Sequence, residues 1–129
     1  MRCLIQSVLL SLSLLLIIPA QAASWSPTTR IESVVVLDGL NIVRVEVLPN
    51  NPLFNPANCA NGSFIDILLD MPGRSAEEQR QMLNALNMAF ITRRQVAFAI
   101  LDNPADPASC STAGTGSSIR IATGVRVYY

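Results

Sequence analysis

Residues 63–101, SFIDILLDMPGRSAEEQRQMLNALNMAFITRRQVAFAIL, decide the fold class, because they hold a strand, a helix and a second strand in succession. In Ser63–Leu69 the residues Ile65, Ile67 and Leu69 alternate with Phe64, Asp66 and Leu68, the period-two pattern of a strand with two unlike faces. Asp70-Met71-Pro72-Gly73-Arg74 ends that strand with turn residues. Ser75-Ala76-Glu77-Glu78 then spells a capping box, in which the serine hydroxyl accepts from the N3 amide and Glu78 reaches back to the N-cap amide. Two acids in a first turn also offset the positive end of the helix dipole. The predicted helix runs to about Ile91, with Met82, Leu83, Leu86, Ala89 and Phe90 on one apolar stripe and Arg93 and Arg94 near its C-terminus. Gln95–Leu101 follows as a strand, with Val96, Phe98 and Ile100 on one face.

Upstream, Ala23–Arg30 reads as an irregular lead-in containing Trp25 and Pro27. Ile31–Leu37 and Leu40–Leu48 flank Asp38-Gly39, which predicts a two-residue hairpin of type I′, where glycine tolerates the positive φ. Val43, Val45 and Val47 alternate with Arg44 and Glu46, so the second run has one buried face. Residues 49–62, rich in Asn and Pro, predict a long loop carrying Cys59. Downstream, residues 102–118 predict a second long loop carrying Cys110. Ser118–Tyr129 is the last predicted strand, with Ile119, Ile121, Val125 and Val127 on its inner face, Arg120 and Arg126 on its outer face, and Gly124 marking a bulge or bend. No internal repeat or linker interrupts the pattern.

The N-terminus sets the compartment. Arg2 precedes an apolar run from Leu4 to Ile18, Pro19 breaks it, and Ala20-Gln21-Ala22 supplies small residues at a cleavage site. Residues 1–22 are predicted to be a secretory signal peptide cleaved near Ala22, since the run is too short to span a bilayer. The remaining chain, residues 23–129, has the length of one small domain and is predicted to be secreted or periplasmic, with no transmembrane segment. It holds eight arginines against nine carboxylates and no lysine or histidine, a near-neutral balance without the basic stripe that nucleic acid requires. Cys3 departs with the signal peptide. Cys59 and Cys110 remain, an even pair in an oxidising compartment, and predict a structural disulfide. Closing a loop of about fifty residues, it is worth about 4 kcal/mol in the chain-entropy picture.

The order β-β-β-α-β-β, mainly β with one helix, is the topology of the OB-fold, a five-stranded Greek-key barrel. In that barrel the third and fifth strands lie side by side and parallel, so their starts share one end. Cys59 and Cys110 each precede one of those strands, and the topology permits their bridge. The rival arrangement is an open α+β sheet with the helix packed across it. On the signal peptide, the element order, the Ser75–Ile91 helix and the Cys59/Cys110 pair, the chain resembles the small secreted bacterial OB-fold proteins of the enterotoxin B subunit type, including the subtilase cytotoxin type, over nearly the whole mature chain. That resemblance implies a non-enzymatic binding module, a ring-forming pentamer that binds host glycans. The alternative is a stand-alone periplasmic accessory protein that contacts another envelope protein.

The residue inventory argues against an enzyme. Without histidine there is neither a Ser-His-Asp nor a Cys-His set, and without lysine no Ser-Lys dyad. Zinc sites of nitrogen and sulfur ligands lack parts, and no metal or cofactor is expected. Glu77 and Glu78 read as capping acids, Asp66 and Asp70 as a solvated polar face, and Asp102 and Asp106 as turn formers in Asp-Asn-Pro-Ala-Asp-Pro. A hydrolase working through these carboxylates is the weakest reading. Thr112–Ser118 has two glycines but no lysine and no following helix, so it is not a phosphate loop. Arg44, Arg120 and Arg126 form a candidate ligand face for a polyanion or acidic sugar, the plainer reading being the solvent side of amphipathic strands. Trp25, Tyr128 and Tyr129 are candidates for sugar stacking, a subunit interface or closure of the barrel ends.

Overall fold

The computed structural model describes residues 22–48, 54–114 and 117–129. The predicted signal peptide, apart from Ala22, lies outside the described residues, as do parts of both long loops. The chain folds in the order β1 (Ala23–Trp25), β2 (Thr29–Leu37), β3 (Ile42–Leu48), β4 (Asn61–Leu68), α1 (Ala76–Ile91), β5 (Gln95–Leu101), a short 3-10 turn (Pro107–Ser109), β6 (Cys110–Ser111) and β7 (Ile119–Tyr128). Strands β2, β3, β4, β7 and β5 pair in that sequence and β5 returns to β2, so five strands close into a barrel. Among the described residues β4 and β7 are the one parallel pair. This is the OB-like barrel expected from the element order, and closure removes the open-sheet alternative. The disulfide Cys59–Cys110 is formed, joining the segments that lead into the parallel pair.

The interior is filled by the alternating residues of the strands: Val43, Val45, Val47, Ile65, Ile67, Val96, Phe98 and Ile100. Helix α1 adds Met82, Leu86 and Ala89 to this cluster and packs against β7 and β2. Its N-terminus is capped as predicted: Ser75 Oγ accepts from the Glu78 amide at 3.1 Å, and the Ser75 amide donates to Glu78 at 2.8 Å. Three of the five predicted stripe residues are buried; Phe90, the last, is 39 % exposed.

The structure corrects four local expectations. The first hairpin turns through four residues, Asp38–Asn41, with Leu37 opposite Ile42. Gly39 takes a positive φ of 80°, and Asn41 a second one at 53°, so β3 starts two residues later than predicted. The lead-in is not irregular throughout: Ala23–Trp25 pair with Leu101–Ala99, and Thr29 and Arg30 continue along the same edge of β5 opposite Val96 and Gln95. Asp66 is not a solvated surface residue, being fully buried. The fourth correction concerns β7. Gly124 lies opposite Ala99 and Ala122 opposite Ile100, which leaves Thr123 as the extra residue of a β-bulge. The bulge reverses the in–out alternation, because the side-chain period of a strand is two. Val125 and Val127 face the interior as predicted, but N-terminal to the bulge the interior positions are Ala122 and Arg120. Ile119 and Ile121 are buried yet lie on the opposite face, outside the interior cluster.

Candidate functional site

The three arginines of the predicted ligand face occupy three different environments. Arg44 on β3 lies directly across from Asp66 on β4. Its Nε donates to one carboxylate oxygen at 2.7 Å and its Nη2 to the other at 2.9 Å, and Nη2 also donates to the Ala113 carbonyl at 2.9 Å. The pair thus pins the segment after β6 onto the outer face of the barrel. The hydrogen bond to Asp66 holds the guanidinium above its ordinary pKa, against the opposing effect of burial. Charge on Arg44 is matched within the protein.

Arg120 is buried, at 2 % exposure, and its chemistry differs. Its Nη1 donates to the Phe54 carbonyl at 2.9 Å and its Nη2 to the Gly62 carbonyl. Its Nε has no hydrogen-bond partner among the described residues. Burial pushes the guanidinium below its ordinary pKa. The bulge in β7 is the cause of this placement, since without it position 120 would face outward.

Arg126, on the outward side of β7, is exposed. Its guanidinium sits 4.3 Å from the ring centre of Trp25, within cation–π range. The same ring closes on the β-bulge: a Cβ placed on Gly124 would stand 3.5 Å from Trp25 Cη2. Trp25 therefore covers the barrel wall at the bulge, while Tyr129, almost fully exposed, lies under Arg94 at 5.8 Å. The predicted ligand face is thus one internal ion pair, one buried cation and one surface cation–aromatic pair.

A feature that sequence reading missed lies where α1 ends. Past Arg30, β2 leaves β5 and keeps β3 as its sole ladder partner among the described residues. Beside it, Ile31, Leu48, Phe90 and Ile91 line an open groove of about 500 Å³ whose rim carries Arg30, Glu32 and Arg93. Ile91 is 74 % exposed and Leu48 49 % exposed. Phe90 was expected on the buried stripe and Ile91 only as a helix residue, because their exposure depends on where the barrel ends beneath α1. A second groove, between α1 and β7, is lined by Arg74, Glu78, Gln81 and Thr123. Its charged groups are committed: Arg74 Nη2 donates to the Thr123 carbonyl at 2.8 Å, and Glu78 serves the helix cap. Burial pushes Arg74 below its ordinary pKa, in opposition to the nearby Glu78.

Among the described residues no three of Asp, Glu, Cys and His gather into a metal-holding group. No helix there is long and apolar enough to cross a membrane. Comparison of the chain with models of protein families, with curated proteins and with solved structures found no match in any of the three. The strand order and the site geometry are therefore the basis for reading its function.

Proposed function

We propose that the mature chain is an extracytoplasmic, non-enzymatic binding module that assembles with copies of itself. The observation that carries this reading is the groove of Ile31, Leu48, Phe90 and Ile91 beside the edge of β2 that, past Arg30, has no ladder partner among the described residues. Ile91, Leu48 and Phe90 stand exposed together in a groove whose lining is otherwise largely polar, and apolar anchors within a polar rim are the anatomy of a protein interface. The rim holds both signs of charge, Arg30 and Arg93 against Glu32, so two copies related by a two-fold axis can match their charges across it. The secretory pattern of residues 1–22 and the Cys59–Cys110 disulfide support an oxidising, extracytoplasmic location. The lack of histidine and lysine supports binding over catalysis. A host glycan is the ligand class that the resemblance to enterotoxin B subunits implies, and the exposed Trp25–Arg126 pair is the remnant of the predicted ligand face to which we assign it.

Light scattering after size exclusion, on oxidised residues 23–129, tests assembly. The expected result is an oligomer that Ile91→Arg returns to a folded monomer. A wild-type monomer at micromolar and higher concentrations overturns the reading and leaves an accessory protein whose groove meets a different envelope protein. A glycan array on the folded protein then tests the ligand: binding lost on Arg126→Ala supports the assignment, and an array without hits removes the glycan.

A further inference from the structure

We propose that Asp102 is the docking site for the α-ammonium group that signal-peptide removal creates at Ala23, so that processing itself locks β1 onto the barrel. Resting on the extracytoplasmic reading, in which residues 1–22 are cleaved, this pair gives the new chain end its partner. Register places the two groups together. Ala23 lies opposite Leu101, and the main-chain N–H of Asp102 donates to the Ala22 carbonyl at 3.3 Å. On the other side of Ala23, Ser24 Oγ donates to Asp102 Oδ2 at 2.6 Å. The Ala23 nitrogen therefore stands between the two residues that already touch Asp102.

Asp102 also lacks a cation. It is half-buried, and the ion pairs among the described residues join Arg44 to Asp66 and Arg80 to Glu77, which leaves this carboxylate the Ser24 hydroxyl as its donor. Hydrolysis of the Ala22–Ala23 bond by a signal peptidase consumes one water. The Ala22 carboxylate leaves with the signal peptide, and the freed Ala23 amine takes up a proton, being mostly charged at about pH 7. Cleavage thus exchanges a neutral contact, Asp102 N–H to the Ala22 carbonyl, for a charge-assisted one to the same residue. It also sets the order of events. In the folded chain the carbonyl that the peptidase attacks is already held by Asp102, so cleavage precedes the seating of β1. Chain ends are poorly ordered unless tied down, and here more than the end is at stake. Trp25, two residues on, covers Gly124 and meets Arg126 only while β1 is seated.

The chain contains no lysine, so the α-amine of Ala23 is the single amine of the mature protein and can be acetylated selectively. Residues 23–129, oxidised and released from a cleavable fusion that leaves Ala23 first, are melted with the amine free or acetylated, with and without Asp102→Asn. Acetylation is expected to lower the Tm of the wild type by about 2 to 5 °C, the scale of a partly exposed ion pair in a domain of this size. In Asp102→Asn the loss is expected to be less than half as large, the mark of a coupled pair. No loss in the wild type, or equal losses in the two proteins, overturns the pair. Should Asp102→Asn fail to fold, the wild type decides: its acetylation loss is expected to shrink by more than half in about 1 M sodium chloride, and an unchanged loss overturns the pair. Mass spectrometry of the full chain after export to a bacterial periplasm tests the underlying reading separately, with Ala23 expected as the first residue. Any other first residue overturns that reading and the proposal with it, whereas Ala23 first without an acetylation effect removes the Asp102 pair alone.

Discussion

Arg44 grips both carboxylate oxygens of Asp66 across the β3–β4 ladder, at 2.7 and 2.9 Å, with the Asp66 side chain fully buried and the Arg44 side chain 11 % exposed. Directly opposite residues in an antiparallel pair are the natural place for such a contact, and the planar guanidinium matches a carboxylate bidentately. Asp66→Ala strands the arginine beside an apolar wall, and we expect a loss of about 3 to 5 kcal/mol of unfolding free energy in urea titration. Replacing both residues with leucine removes the two charges together and is expected to cost much less. A double replacement as costly as Asp66→Ala shows that packing, and not the charge pair, dominates.

Reduction of Cys59–Cys110 provides a second test. The bridge closes a separation of 51 residues. The chain-entropy relation assigns such a loop about 4 kcal/mol. The Cys59→Ser, Cys110→Ser double variant is expected to unfold at correspondingly lower denaturant, with circular dichroism still reporting the same strands where it remains folded.

Trp25 is the single tryptophan of the chain, which makes its contact with Arg126 directly observable. At a site this exposed a cation–π contact is worth about 0.5 to 1 kcal/mol. Arg126→Ala is expected to cost that amount in stability and to shift the tryptophan emission maximum. An unchanged spectrum means that the two side chains do not meet in solution.

The cap of α1 predicts a pH dependence. The Ser75 amide, donating to Glu78, is the main reason that this carboxyl sits below its ordinary value, helped by the Ser75 hydroxyl and by the charge of Arg74. A carboxyl whose folded value lies below its unfolded one, about 4.3, adds stability above that pH and loses it as the pH falls through the folded value. Glu78→Gln keeps the capping geometry without the titration. The variant is expected to lose less stability than the wild type between about pH 5 and about pH 3, measured by chemical denaturation.

Local chemistry accounts for what was legible beforehand. The capping box at Ser75 and Glu78 needs only four consecutive residues, and the alternation of Val43, Val45 and Val47 needs only five. Each survives in the fold because no distant partner is required to establish it. The Cys59/Cys110 pairing followed from parity and from the parallel neighbours that the element order implies. Arg120 was misplaced for the opposite reason. Its orientation depends on the extra residue Thr123, and a bulge is visible only as a mismatch against the partner strand β5. Asp66 was misread because its partner is 22 positions upstream and meets it through ladder register.

The amino-acid pattern was therefore sufficient for the five barrel strands, the helix, their order, the disulfide and the barrel class, because periodicity, caps and turn residues act over a few positions, whereas the short strands β1 and β6 were read as lead-in and loop. The burial of Arg120, the pairing of Asp66, the contact of Trp25 with Arg126 and the groove at Phe90 and Ile91 came with barrel closure alone. Each depends on register and on which surface faces another, and these are properties of the packed chain that no window of neighbouring residues contains.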